Sequence, residues 1–182
     1  AHVLWQRGVG RDMIDFRTRS GLLSATRKEH VIRLELPADS PVELPPDMQA
    51  SISDILGVQA EWIGRGGEDV LVVFKQADDV RELQPDLAFL KTLPFRGLIV
   101  TSPGDEDGVD CVSRFFAPAA GIPEDPVTGS AHCLLAVYWG HRLGRRTLRG
   151  YQASARTGIV DMELSGSRVI LSGLAKTVLT GE

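Results

Sequence analysis

The 182-residue sequence has little that would tie it to a membrane, a polyanion or an oxidising compartment. No run approaches the roughly eighteen uninterrupted apolar residues of a membrane span, and the first residues lack a basic segment followed by an apolar signal core. There is no Lys/Arg-rich stretch, and a formal net charge of −4 with a pI near 5.6 argues against a surface for nucleic acid or anionic lipid. The two cysteines, Cys111 and Cys133, could pair only once, which argues against a disulfide scaffold. Cys133 stands in an apolar segment, where a thiol behaves as a small hydrophobe. No other His or Cys shows ligand spacing beside it, so no metal is expected. These absences point to a soluble, cytoplasmic protein whose partners are small molecules, with no nucleic acid and no membrane.

What the chain does have is core: 43% of its residues are hydrophobic, enough for one domain or one domain plus part of another. The densest stretch is Cys133-Leu134-Leu135-Ala136-Val137-Tyr138-Trp139, apolar on nearly every side. Such a helix belongs inside a shell of other elements rather than on a surface. Directly before it runs Glu124-Asp125-Pro126-Val127-Thr128-Gly129-Ser130-Ala131-His132, a carboxylate, a tight turn and a hydroxyl cap. The first turn of a helix carries unpaired N–H groups and the positive end of the macrodipole, which together make an anion site. Ser130 reads as the N-cap, with Thr128 competing for the role. Asp125 stands beside that site, ionised by the same dipole, and suits an acceptor or base better than an acid.

Elsewhere the pattern predicts a helix already in progress at residues 1–6, then strands at 13–17, 22–26 and 31–36, with Ser20-Gly21 as a turn. The proline-rich, acidic segment 37–46 reads as a linker, and Pro46 opens a helix over 47–56 that Gly57 closes. Strands are expected at 58–63, 70–74, 98–101 and 109–116, with a short helix at 86–93 after Pro85. The apolar helix spans about 130–143, and strands follow near 151–155, 160–164, 169–171 and 175–179, with turns at Gly158 and Gly166. The domain division expected is 1–44, the remnant of an N-terminal pseudo-repeat, and 45–182, a C-terminal domain around the central helix.

The two halves repeat. Ala1-His2-x-Leu4 matches Ala131-His132-x-Leu134 at an offset of 130, and Arg19-x-Gly21 matches Arg156-x-Gly158 at an offset of 137. The shared order of apolar helix, basic turn and strand hairpin indicates an internal duplication. The second copy has a turn-and-cap motif before its helix and the first does not, so the chain is expected to begin inside a larger ancestral unit.

Ser113-Arg114-Phe115-Phe116-Ala117-Pro118, the run from Gly121 to His132, Tyr138-Trp139 and Gln152-Ala153-Ser154-Ala155-Arg156 resemble the C-terminal half of the phenazine-biosynthesis, PhzF-like isomerase family. The likeness extends back through Phe16-x-Thr18-Arg19-Ser20-Gly21-Leu22-Leu23 and Pro85-Asp86. It implies an α+β, diaminopimelate-epimerase-like fold: curled mixed sheets around central buried helices, here with an incomplete first pseudo-symmetric domain. It also implies a cofactor-independent isomerase or epimerase that removes and returns a proton next to a carboxylate or carbonyl group. The family's catalytic glutamate precedes a Gly-His-Ala-Thr helix start, and neither motif occurs in these 182 residues. Carried over by resemblance are Asp125, expected to hold a polar group of the substrate, and Gly129 with Ser130, expected to bind its acid group. Thr157 stands where the family often has glycine.

Each residue also has a plainer role. Asp125 before Pro126 could only start a turn, Gly129 could only serve that turn, and His132 is more often a hydrogen-bonded core residue than a catalyst. Thr128 and Arg156 are further substrate-binding candidates, and Arg114 has the same standing as Arg156, since arginines at strand turns are usually solvated or ion-paired. Thiol-based racemisation is disfavoured because the loop ahead of the helix has no cysteine. The expected partner is a small carboxylate-bearing metabolite, with a homodimer or pairing with a missing N-terminal half completing the site. The rival reading is a noncatalytic small-anion-binding or oligomerisation module derived from a truncated isomerase.

Overall fold

Strand alternation decides how this chain builds two cores from one sheet. The computed structural model describes residues 1–18 and 21–180. The chain opens with α1 (His2–Gln6) and an antiparallel meander of β1 (Met13–Thr18), β2 (Gly21–Lys28) and β3 (Val31–Pro37). It continues through β4 (Val42–Glu43), α2 (Pro46–Leu56), β5 (Trp62–Gly66), β6 (Asp69–Val73), α3 (Ala77–Glu82), α4 (Leu87–Leu90), β7 (Gly97–Pro103) and β8 (Cys111–Phe116). A single 3-10 turn, Pro118–Ala120, precedes α5 (Gly129–Leu143), after which β9 (Thr147–Gln152), β10 (Gly158–Ser165) and β11 (Arg168–Gly173) form a second meander. Among the described residues all strands join one sheet, in the order β1-β2-β3-β11-β10-β9-β8-β7-β6-β5-β4. It is mixed: β6 pairs with β7 and β8 with β9 in parallel, and the remaining pairs are antiparallel.

The strand β6 is buried along its whole length, the pattern of a strand covered on both faces. Leu71 and Val73 face α5 together with Ile99, Phe115, Leu148, Met162, Val169 and Leu171. Val70 and Val72 face the other way, onto Ile52 and Leu56 of α2, Val80 of α3 and Leu90 of α4. The sheet therefore curls around α5 and carries three short helices on its outer face, the α+β arrangement the resemblance implies. The close fit is visible at two glycines. A Cβ on Gly66 would lie 2.2 Å from Leu134 Cδ1, and one on Gly140 would lie 2.4 Å from Leu164 Cδ1.

At 15 residues, α5 is about 22 Å long, and nine of its residues are buried. Trp139, almost wholly enclosed, donates its indole N–H to Thr101 Oγ1 at 3.1 Å, so the largest core side chain has no stranded polar atom. Gly144 closes the helix in the left-handed conformation, as Gly57 closes α2.

Several expected elements move. The strand expected at 58–63 starts only at Trp62, and the one expected at 151–155 is β9, which begins at Thr147 directly after the helix and ends at Gln152. Residues 175–179 form no strand: Val178 and Leu179 are exposed, and Thr177 instead bonds to His2 and Gln6. The helix α3 was not anticipated, because Ala77-Asp78-Asp79-Val80 offers only two apolar positions to a periodicity search. The segment 37–46, read as a linker, contains β4, paired with β5. Of the expected Ser20-Gly21 turn, Ser20 lies outside the described residues.

Candidate active site

The site is built at the start of α5, where β8 and β9 hold the turn that precedes it. Asp125 is half-buried, and its backbone N–H donates to the Phe115 carbonyl at 3.0 Å, fixing the turn to the end of β8. Ser154, just past β9, donates its hydroxyl to the Pro126 carbonyl at 2.6 Å. Gln152, the last residue of β9, is buried and reaches the same turn from the sheet side.

The N-cap position belongs to Thr128 rather than Ser130, and neither hydroxyl caps the helix. Thr128 Oγ1 donates to Asp125 Oδ2 at 2.5 Å, its N–H donates to Gln152 Oε1 at 2.8 Å, and its carbonyl accepts from His132. Every polar group of Thr128 is thus engaged inside the protein, which gives it the part of a holder of Asp125 rather than a group presented to a ligand. A hydrogen bond to a charged group contributes about 1.5–3 kcal/mol, so a ligand would have to displace Asp125 to win that hydroxyl. Ser130 is exposed at the second helical position, and its hydroxyl accepts from Arg96 at 3.1 Å.

Diverting the Thr128 hydroxyl has a consequence for the helix. An N-cap side chain ordinarily satisfies an N–H of the first turn and stabilises a helix by about 1 kcal/mol. Here the N–H groups of Gly129, Ser130 and Ala131 have no acceptor among the described residues. They form a cluster of donors at the positive end of a buried helix, with the Asp125 carboxylate three residues upstream of the cap.

Gly129 is not demanded by the turn, since its φ lies outside the left-handed region and an added Cβ would meet Leu171 Cδ1 at an ordinary 3.6 Å. Arg156 is exposed on the loop stapled by Ser154 and has no ion pair or hydrogen bond among the described residues. In the same loop Thr157 adopts φ 57, the left-handed conformation that suits glycine. Arg114 has a structural post: its guanidinium pairs with Glu124 at 2.8 Å and donates to the carbonyls of Val80, Arg81 and Leu83.

His132 is fully buried. Its Nδ1 lies 2.7 Å from the Thr128 carbonyl, which can only accept, so Nδ1 carries the proton and the neutral ring leaves Nε2 bare and unpartnered. Burial pushes its pKa below the ordinary imidazole value, partly offset by the bond to Thr128. The thiols of Cys111 and Cys133 are free and are both pushed up to about 12 by burial, so neither is a nucleophile at neutral pH. Among the described residues no group of three His, Cys, Asp or Glu side chains could hold a metal ion, and no helix is long and apolar enough to cross a membrane.

Two contributors escaped the sequence reading. Gln152 continues the inward alternation of Leu148 and Gly150, and a polar residue at an inward position needs a partner, which was a usable signal. Arg96 carried none: its guanidinium is held by the buried Asp69 through two hydrogen bonds, Nε to Oδ1 at 2.9 Å and Nη2 to Oδ2, and only tertiary structure brings it to Ser130. Behind this pair the Asp39 carboxyl is raised above the usual carboxylate range by burial and by the charge of Asp69.

A mixed sheet curled around a buried helix with an uncapped, aspartate-flanked start defines an α+β class with its candidate site at the mouth of the central helix. The chain belongs to the PhzC-PhzF family of phenazine biosynthesis-like proteins, whose pattern it matches over residues 1–181. An uncharacterized isomerase of Halalkalibacterium halodurans is 38% identical over all of this chain and 69% of its own length. One of Pseudomonas aeruginosa is 40% identical over all of this chain and 68% of its own. The crystal structure of a PhzF-family protein from Enterococcus faecalis superposes with a TM-score of 0.85 at 37% identity, over 98% of this chain and 67% of that one. The chain thus spans about two thirds of the length of these relatives.

Proposed function

We propose that this chain supplies one side of a cofactor-independent isomerase or epimerase site for a small carboxylate-bearing metabolite. The observation that carries the reading is the uncapped start of α5 beside Asp125. The acid group of the substrate takes the free N–H groups of Gly129 and Ser130, and Arg156 lies on the adjoining loop to meet it. Asp125 holds or deprotonates the neighbouring centre. When a C–H next to a carbonyl or carboxyl group loses its proton, the electron pair moves onto the oxygen, and aimed N–H donors stabilise that charge. A second acid–base group must return the proton. By resemblance it is the glutamate that precedes a Gly-His-Ala-Thr motif, which these residues do not include.

The test is solvent exchange. Amino and hydroxy acids are incubated in D2O with the chain alone, and with the chain mixed with the N-terminal segment of a full-length relative, and loss of the α-proton signal is followed by NMR. The mixture is expected to exchange at least one substrate, with Asp125→Asn slowing it by about a hundred-fold or more. Exchange that is indifferent to Asp125→Asn would overturn the role given to that residue. Acid binding at the Gly129 and Ser130 amides with no exchange in any mixture would favour the noncatalytic anion-binding module.

A further inference from the structure

Gln152 makes three hydrogen bonds to one turn, and their directions can be fixed without ambiguity. The Asp125 carbonyl can only accept and the Thr128 N–H can only donate. The amide nitrogen of Gln152 must therefore face the Asp125 carbonyl, at 2.7 Å, and its oxygen must face the Thr128 N–H, at 2.8 Å. The same nitrogen lies 3.3 Å from Thr128 Oγ1 and donates to it. A hydroxyl that accepts there has its single proton left for another acceptor, and that acceptor is Asp125 Oδ2 at 2.5 Å. The result is a one-way chain of donors, from Gln152 Nε2 to Thr128 Oγ1 to Asp125, in which each bond polarises the next.

The geometry points to Gln152 as a positioning residue that acts through Thr128. It aims the Asp125 carboxylate, and it keeps the Thr128 hydroxyl away from the helix mouth so that the Ser130 and Ala131 N–H groups, which an N-cap hydroxyl would take, stay open beside that of Gly129. This assignment rests on the proposed use of those amides and of Asp125. Gln152 is 1% exposed, and its side-chain hydrogen bonds go to Asp125 and Thr128. Its burial makes the three bonds durable, because a buried amide left unpaired is costly.

The test uses amide hydrogen exchange and side-chain couplings of the full chain by NMR, with two variants. Gln152→Met removes all three bonds at similar size; Thr128 amide exchange is expected to accelerate about ten-fold or more and the Asp125 χ1 couplings to average, while Leu71 and Ile99 in the sheet keep their protection. Gln152→Glu is nearly isosteric and works as a switch. When protonated, its carboxyl still donates to the Asp125 carbonyl and accepts from Thr128. When ionised, it turns a lone pair on that carbonyl and draws the Thr128 proton away from Asp125. The Asp125 χ1 couplings should therefore show a step as the introduced carboxyl ionises, absent from the native chain, while Thr128 keeps its amide protection because a carboxylate still accepts from its N–H.

Native-like Thr128 exchange in Gln152→Met, with native-like Asp125 couplings in both variants at all pH values, would overturn the proposal. If Gln152→Met loses protection at Leu71 and Ile99 and so unfolds, the pH step of Gln152→Glu decides. Titration with sodium acetate separates this idea from the one beneath it. Clamp behaviour as expected without acetate-induced shifts at Gly129 and Ser130 would remove the ligand reading alone. Those shifts together with an indifferent Gln152 would remove the clamp alone.

Discussion

The same succession, a helix followed by a three-strand antiparallel meander, occurs at both ends of the chain with opposite surroundings. In the second copy, α5 leads into β9, β10 and β11; in the first, α1 leads into β1, β2 and β3. The two meanders join where β3 pairs with β11, with Leu34 opposite Leu171. Both helices carry the order Ala-His-x-Leu, yet nine residues of α5 are buried and only Trp5 of α1 is. Val3 is 52% exposed, and Trp5 is held by two local contacts, its indole N–H on the Arg11 carbonyl at 2.6 Å and the Arg27 guanidinium 5.3 Å from its ring. The contrast lies in the wrapping, since β6, β7 and β8 close over α5 and no described strand does so over α1. An apolar pattern around a helix thus reports the company it needs rather than the helix itself.

The strongest way to break this comparison is to truncate matching leucines. Leu134→Ala empties a position 1% exposed between helix and sheet and is expected to cost about 2–5 kcal/mol. Leu4→Ala, at a position 38% exposed on α1, should cost about 1 kcal/mol or less. Urea unfolding of the two variants beside the native chain gives the numbers, and equal losses would mean that α1 is as enclosed as α5.

The paired histidines sharpen it next. His132 is held neutral by burial, with its pKa lowered below that of the unfolded chain. The unfolded state therefore binds the proton first, and the stability tied to this neutrality is complete above the unfolded imidazole value near 6.5 and lost as pH falls below it. One proton contributes a slope of up to about 1.4 kcal/mol per pH unit. Denaturant midpoints at pH 7, 6 and 5 should show His132→Gln losing stability less steeply than the native chain. Parallel pH profiles for the two would contradict a neutral, buried His132.

How much of this was readable in the residues follows from which interactions are local. The central helix was legible to within one residue at its start, because an all-round apolar run preceded by Asp-Pro and small residues has few other structures open to it. Both meanders were legible as elements, though β9 was placed four residues late: its first inward residue, Leu148, lies close behind Gly144, and the stronger apolar signal sits further on. The turn bearing Asp125, Thr128, Gly129 and Ser130 was recognised as a unit. What the hydroxyls do was not, because the choice of Thr128 between capping the helix and holding Asp125 is decided by Gln152, 24 residues away in sequence. The approach of Arg96 to Ser130 is likewise set by the pairing of β6 with β7 and by Asp69, and no local pattern encodes it.

The smallest effect lies in the hairpins that close each meander, where the two copies solve one problem differently. Lys28 pairs with Val31 and Ser165 with Arg168, so both turns have two central residues. In the second copy the first of these is Gly166 at φ 60; in the first copy it is Glu29 at φ 57. Two-residue hairpins favour glycine there because the twist of the strands requires a positive φ. A side chain in that conformation costs about 1–2 kcal/mol, while glycine costs about 0.4–1 kcal/mol in the entropy of the unfolded chain. Glu29→Gly is therefore expected to stabilise the protein by about 0.5–1 kcal/mol, and Gly166→Ala to destabilise it by a similar amount. Glu29 is exposed, and an added Cβ at Gly166 meets nothing within 4 Å, so backbone strain dominates the change at both sites. Thermal unfolding of the two variants should shift in opposite directions; a shift of the same sign would show that the two hairpins do not share one turn geometry.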